Sequence, residues 1–233
     1  MNGFDLSILH FVNAFAQHSI AVDELMWFLT RNVLALGGVS FFLFWYAWFQ
    51  RSDARSESQE FLLFGFVAAI VSLAVARVLA SGLPFRLRPL HDASVPFRLP
   101  YGSDLSALMN WSSFPSDHAT VFFGLAATLV FVSRPLGGVA LFHAIFVVSL
   151  PRIYCGIHYP TDVIAGAFLG IGIACLCQIT SLRKAVTAPL LHWREVNAGA
   201  FYAVLFLCTF EVAELFNSVR TVVTQGLRMA SLF

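Results

Sequence analysis

Glu60-Phe-Leu-Leu-Phe-Gly-Phe-Val-Ala-Ala-Ile-Val-Ser-Leu-Ala-Val-Ala-Arg77-Val-Leu-Ala-Ser-Gly-Leu83 is the stretch that decides the fold class of this chain. It is apolar over the length a helix needs to cross a hydrocarbon core of roughly 30 Å, about 20 residues. The same reading marks further runs at about 25–49, 115–133, 136–155, 160–180 and 197–219. Composition agrees, since 58% of the residues are hydrophobic, 12% are charged and the mean hydropathy is +0.77, far from the charge content of a soluble domain. The expected fold is therefore all-α, a polytopic membrane helix bundle of about six transmembrane helices. A weaker segment at 4–22 has Phe4, Ile8, Phe11, Val12 and Phe15 at helical spacing, interrupted by Asp5, Asn13, Gln17 and His18. It is expected to form an N-terminal interfacial helix. No Lys or Arg precedes it and no small-residue cleavage pattern follows, so it does not read as a secretory signal.

The cations set an orientation. Arg51 and Arg55 lie between the first two spans, Arg134 between the third and fourth, and Arg183, Lys184 and Arg194 between the fifth and sixth. By the positive-inside bias these loops are cytoplasmic, which turns the N-terminus, the loop 84–114 and the turn 155–160 outward. Arg86, Arg88 and Arg98 share that outer face and are set aside as candidates for chemistry. Cys155, Cys175, Cys177 and Cys208 lie in or near spans without metal-ligand spacing and read as small buried thiols. A net charge of +1 with no run of Lys and Arg gives no reason to expect nucleic acid. No carboxylate cluster suggests a divalent ion, so neither a metal nor another cofactor is expected. The chain reads as a single domain over 1–233 whose one long connection is 84–114, and a loop of that length in a compact protein is usually functional.

Three fragments carry chemistry. In Pro84-Phe-Arg-Leu-Arg-Pro89 the prolines deny the chain a helix and hold Arg86 and Arg88 on a stiff extended segment. Guanidinium forks suit phosphate oxygens, although the same pair could hold lipid headgroups. In Pro115-Ser-Asp-His118 a proline at the first helical position is expected to open the third span. Ser116, Asp117 and His118 then sit by unpaired backbone N–H groups that favour an anion. In Arg152-Ile-Tyr-Cys-Gly-Ile-His158-Tyr-Pro-Thr-Asp162 a second proline opens the next helix, with His158 outside it and Asp162 in its first turn. That spacing lets Asp162 hold one ring nitrogen of His158 and leave the other free as a nucleophile. Arg152, near the end of a span, needs an anion or a partner.

The order and spacing of these fragments resemble the type-2 phosphatidic acid phosphatase superfamily, over residues 77 to 162. Phe-Pro-Ser-Asp-His-Ala-Thr and His-Tyr-Pro-Thr-Asp-Val are most similar to the bacitracin-resistance type of undecaprenyl diphosphate phosphatase. The resemblance implies an integral-membrane, metal-independent lipid phosphatase, with its active site on the outer face of a bacterial inner or plasma membrane. Its partners would be a lipid phosphate and the bilayer. His158 would attack phosphorus, Asp162 would fix its tautomer and His118 would protonate the leaving oxygen. Arg88, Arg152 and Ser116 would bind phosphate oxygens. Three departures stand out. The family lysine falls on Ser81, so Arg77 or Arg86 would supply that charge. Asp117 replaces a glycine and Pro151 a serine. Undecaprenyl diphosphate is the first expected substrate, ahead of phosphatidate, phosphatidylglycerol phosphate and lipid A 1-phosphate. A phosphotransferase would use the same residues.

A transporter is the alternative from another class, resting on Glu211 and Glu214 on one face of the last span and on His143. Other features read as structural. Gly166 and Gly170 with Ala167 and Ala174 give a small-residue helix face, and Trp27, Trp45, Tyr46, Trp48 and Trp193 suit an aromatic belt. Leu105, Met109 and Trp111 could cover the site.

Overall fold

The computed structural model describes residues 2–50, 54–106 and 108–230, in which every regular element is a helix. Arg51 lies outside the described residues. The helices are α1 (Gly3–Asn13), α2 (Ile20–Arg31), α3 (Leu34–Phe49), α4 (Arg55–Gly82), α5 (Asp117–Val132), α6 (Arg134–Tyr154), α7 (Pro160–Gln178), α8 (Thr180–Val196), α9 (Ala198–Ala213) and α10 (Asn217–Ala230). Among the described residues three helices, α4, α6 and α7, are long and apolar enough to cross a membrane. The number rises to five if α2–α3 and α9–α10, bent by 70° and 85°, each count as one span. α5 is apolar but shorter.

Two continuous spans expected from sequence are thus broken, each for a local reason. Asn32 takes an extended conformation between α2 and α3, and its side-chain oxygen accepts from Ala35 N at 2.9 Å, capping the helix that follows. Leu215 and Phe216 both adopt positive φ, 54° and 58°, which a right-handed helix cannot contain. The segment 4–22 is likewise two pieces, and Ile20–Val22 already belong to the first bent pair. α8 was expected to be a connecting loop. Its charges mask a helical apolar face, in which Val186, Leu190 and Trp193 pack on the core while Arg183 pairs with Glu60 at 3.3 Å.

The core is held by close backbone approach at glycines. A Cβ at Gly170 would lie 1.9 Å from the Thr120 carbonyl oxygen, and one at Gly166 would lie 2.5 Å from that of Ser116. The small face of α7 therefore seats α5 directly against it, as the sequence pattern suggests. Further along α5, Gly65 of α4 makes room for Thr128. Around this stack Phe44, Trp48, Phe66, Phe122, Leu129 and Phe201 form the main apolar cluster. Trp48 is fully buried and Trp27 nearly so, which removes both from the expected aromatic belt; Tyr46 is exposed. Of the cysteines, Cys155 and Cys177 are buried, Cys208 is intermediate and Cys175 is exposed.

The bundle has two chemically different ends. At one, Arg183 meets Glu57 and Glu60, Arg194 meets Gln59, and Phe61 lies against Phe131. The other end gathers the three sequence fragments.

Candidate active site

The loop between α4 and α5 is stitched at its base. Ser113 N donates to Arg86 O at 2.9 Å and Arg86 N donates to Ser112 Oγ at 3.3 Å, so the Arg86–Arg88 segment runs beside Ser112-Ser113. Arg88 is extended (φ −78°, ψ 151°), the conformation that the following Pro89 favours. Across from it, Gly156 turns the chain between α6 and α7 with φ +68°, and its carbonyl accepts from Leu90 N at 3.0 Å. A cavity of about 800 Å³ opens at this junction. Its wall includes Arg77, Arg88, Asp117, His118, Arg152 and His158.

His158 is 5% exposed. Its Nδ1 lies 2.8 Å from the Ser113 carbonyl oxygen. A carbonyl can only accept, so Nδ1 carries the proton and Nε2 keeps its lone pair. That Nε2 is 3.5 Å from Arg88 Nη1. Asp162 Oδ2 stands 3.7 Å from Nδ1, beyond hydrogen-bond length but within reach of an ion pair once the ring is protonated, and accepts from Tyr159 N at 2.8 Å. The four-residue spacing brings the two side chains close, but the Ser113 carbonyl holds the tautomer. Burial lowers the His158 pKa to about 4; Asp162 opposes that shift while the Arg88 and Arg152 charges add to it. The imidazole is accordingly neutral at neutral pH.

Arg88 is buried, donating to Ile157 O at 2.7 Å and Ser112 O at 3.1 Å, and its Nε has no partner among the described residues. Burial lowers its pKa to about 10, offset in part by Asp162 and Asp117, so it stays cationic. Arg152 is also buried, its guanidinium fixed by Val148 O at 2.8 Å and Thr30 O at 3.3 Å. Arg77 bridges the cavity wall, with Nε 3.4 Å from Asp117 Oδ2 and Nη2 donating to Leu215 O at 2.7 Å.

Two sequence candidates stand elsewhere. Arg86 does not line the cavity; it donates to Asp162 Oδ1 at 2.5 Å, Thr161 Oγ1 at 2.9 Å and Asp5 Oδ2 at 2.8 Å, and stacks on Tyr159. Ser116 is fully buried and caps α5, accepting from Ala119 N at 3.4 Å. The helix therefore starts at Asp117, two residues after the Pro115 that was expected to open it. Trp111 lines the cavity, whereas Leu105 and Met109 are exposed away from it. Sequence reasoning passed over Arg31, Asn217 and Arg220, which also line the wall; Arg220 lies over Trp111 at 4.8 Å and donates to Asn217 Oδ1 at 2.8 Å. Glu214, proposed for transport, caps Ser218 N at 2.7 Å on the same wall, and His143 is bound by Ala35 O at 2.7 Å. Of these, only Arg220 had a usable signal, a cation on a helix otherwise apolar on one side.

The profile of the PAP2 superfamily matches from the end of α4 into α8. The match covers residues 81–184. The chain is 28% identical over 171 residues to the bacitracin transport permease protein BcrC of Bacillus licheniformis, covering 72% of this chain and 75% of that protein. It is 24% identical over 165 residues to the undecaprenyl-diphosphatase BcrC of Bacillus subtilis, covering 71% and 78%. The crystal structure of Aquifex aeolicus LpxE shares the fold, with a TM-score of 0.51 and 23% identity over 73% of this chain and 92% of that one. The matched residues include Arg88, His118, Arg152 and His158, while Arg77, Arg31 and Arg220 reach the same cavity from outside the match.

Proposed function

We propose that this lipid phosphatase hydrolyses a polyprenyl diphosphate, undecaprenyl diphosphate first, to the monophosphate and inorganic phosphate. One observation carries the reading: a neutral His158, with Nδ1 bound to a carbonyl, offers Nε2 to a cavity walled by Arg88 and Arg152. The Nε2 lone pair attacks the terminal phosphorus, the bond to the bridging oxygen breaks, and that oxygen leaves with the electron pair and a proton from His118. Water then attacks the phosphohistidine, His118 takes its proton, and the P–N electrons return to Nε2. Arg88, Arg152 and Arg77 hold the charge that develops on the nonbridging oxygens, with the Arg88 Nε as a donor left over for them. Arg77, rather than Arg86, takes the place of the family lysine, because it lines the cavity.

A diphosphate is favoured over phosphatidate because further cations, Arg31 and Arg220, line the same wall beyond the first three. Counting α5 together with α4, α6, α7 and the two bent pairs gives six spans in one domain over 1–233. With Arg55, Arg134, Arg183 and Arg194 at the opposite end, the positive-inside bias turns the site to the outer face of a bacterial inner membrane. The arginines supply the charge, so turnover needs no divalent ion. The test is phosphate release by purified protein in detergent from undecaprenyl diphosphate and phosphatidate in parallel. Faster release from the diphosphate supports the reading; release from phosphatidate alone, or from neither, overturns it.

A further inference from the structure

Arg86 lies between two carboxylates that meet only through the fold. Asp5 of α1 is fully buried, and its Oδ1 accepts from Thr161 N at 2.9 Å while its Oδ2 accepts from Thr161 Oγ1 at 2.8 Å. The same Oδ2 takes Arg86 Nη2 at 2.8 Å, and Arg86 Nη1 reaches Asp162 Oδ1 at 2.5 Å. The guanidinium is stacked on the Tyr159 ring at 4.2 Å, which leaves it little room to turn. Asp162 is thereby engaged on both oxygens, by Arg86 and by Tyr159 N, and stands 3.7 Å from His158. Asp5 and α1 lie outside the matched residues 81–184, so a segment remote in sequence closes the network behind the nucleophile.

We infer that Arg86, anchored by Asp5, is a positioning residue: by holding Asp162 Oδ1 it fixes the carboxylate with Oδ2 3.7 Å from His158 Nδ1, which leaves Nδ1 to the Ser113 carbonyl. The charged and titratable groups around His158 are Arg88 from the loop, Arg152 from α6, His118 from α5 and Asp162 from α7, with Arg86 and Asp5 behind Asp162. Removing the Arg86 charge does two things of the same sign. It takes away the cation paired with Asp162, and it unties that carboxylate so that it can close on Nδ1. Both favour the imidazolium, so the protonation midpoint of His158 rises.

The inference rests on His158 as the nucleophile, and its test separates the two. In full-length protein with labelled histidines, the His158 midpoint is read by NMR, with His158→Gln to assign the signal, and the pH profile of kcat/KM is recorded alongside. Arg86→Met should raise the midpoint by about one unit or more, the size expected for an opposite charge at this range. Arg86→Lys, which keeps the charge, should restore most of the shift. If Arg86→Met fails to fold because Asp5 is left without its cation, Arg86→Met with Asp5→Leu removes that carboxylate and should show the same rise. An unmoved midpoint in either background, or activity lost equally at every pH, overturns the inference. Absence of phosphate release by the wild type would instead overturn the reading of function, and the NMR midpoint would still decide the role of Arg86.

Discussion

Replacing Gly166 with alanine tests whether the seating of α7 on α5 aligns the two halves of the site. The added Cβ would lie 2.5 Å from the Ser116 carbonyl oxygen, 3.0 Å from Thr120 Oγ1 and 3.2 Å from Ala119 Cβ. That carbonyl cannot swing aside, since it accepts from Thr120 N at 3.0 Å and from Thr120 Oγ1 at 2.9 Å. Ordinary contact needs about 3.5 Å, so the helices must part by most of an ångström. His118 is in the first turn of α5, and His158 lies just before α7. A misplacement of about 1 Å can lower turnover roughly 100-fold. Overpacking of this kind also destabilises by about 1–3 kcal/mol, a drop of several degrees in Tm. Gly172 is the control on the same helix, with nothing within 4 Å of its Cβ position. Gly172→Ala should leave kcat unchanged and hold or raise Tm, since alanine exceeds glycine in helix propensity by about 1 kcal/mol. The assay is initial phosphate release in detergent together with thermal unfolding. Wild-type kcat in Gly166→Ala, or an equal loss in Gly172→Ala, would refute the reasoning.

Protonation of Nε2 removes the attacking lone pair, and burial holds the His158 pKa at about 4. Hence kcat/KM should not fall as pH drops from 7 through 6, a change that only favours the proton His118 must donate, and should decline only toward 4; a decline centred at the ordinary histidine value would contradict the buried geometry. Arg220→Ala removes a cation contributed to the wall from outside residues 81–184, together with its stacking on Trp111, and should lower kcat/KM for the diphosphate about tenfold while leaving phosphatidate nearly unchanged. Equal loss on both lipids would assign Arg220 to anchoring α10 instead. Excess chelator should leave phosphate release intact, because the arginines carry the charge; loss of activity that returns with a divalent ion would sink that part of the mechanism.

The site fragments were legible because each is local. Arg88-Pro89, Pro115-Ser-Asp-His118 and His158 to Asp162 keep their chemistry within a few residues, and apolar run length marked the helices that could span. What escaped the sequence depends on distant contacts. Arg86 and Arg88 are two residues apart on an extended segment, a spacing that suggests a shared face, yet Arg86 turns from the cavity because Asp162 and the distant Asp5 take its guanidinium. The His158–Asp162 spacing gave proximity but not the bond, because Ser113 arrives from 45 residues away to take Nδ1. The break at Leu215-Phe216 has no glycine or proline to announce it, and its carbonyl partner, Arg77, lies in α4. Asp5 did leave a trace, a carboxylate among Phe4, Ile8 and Phe11 that needed a buried partner.

The most direct test of the central claim is to trap the intermediate. Undecaprenyl diphosphate labelled on its terminal phosphate is mixed with the protein, the reaction is stopped in alkali, where a phosphohistidine survives, and the peptides are mapped by mass spectrometry. The account predicts label on His158 in the wild type and none in His158→Ala. Label on another residue, or steady phosphate release with no labelled protein at any time, would contradict it.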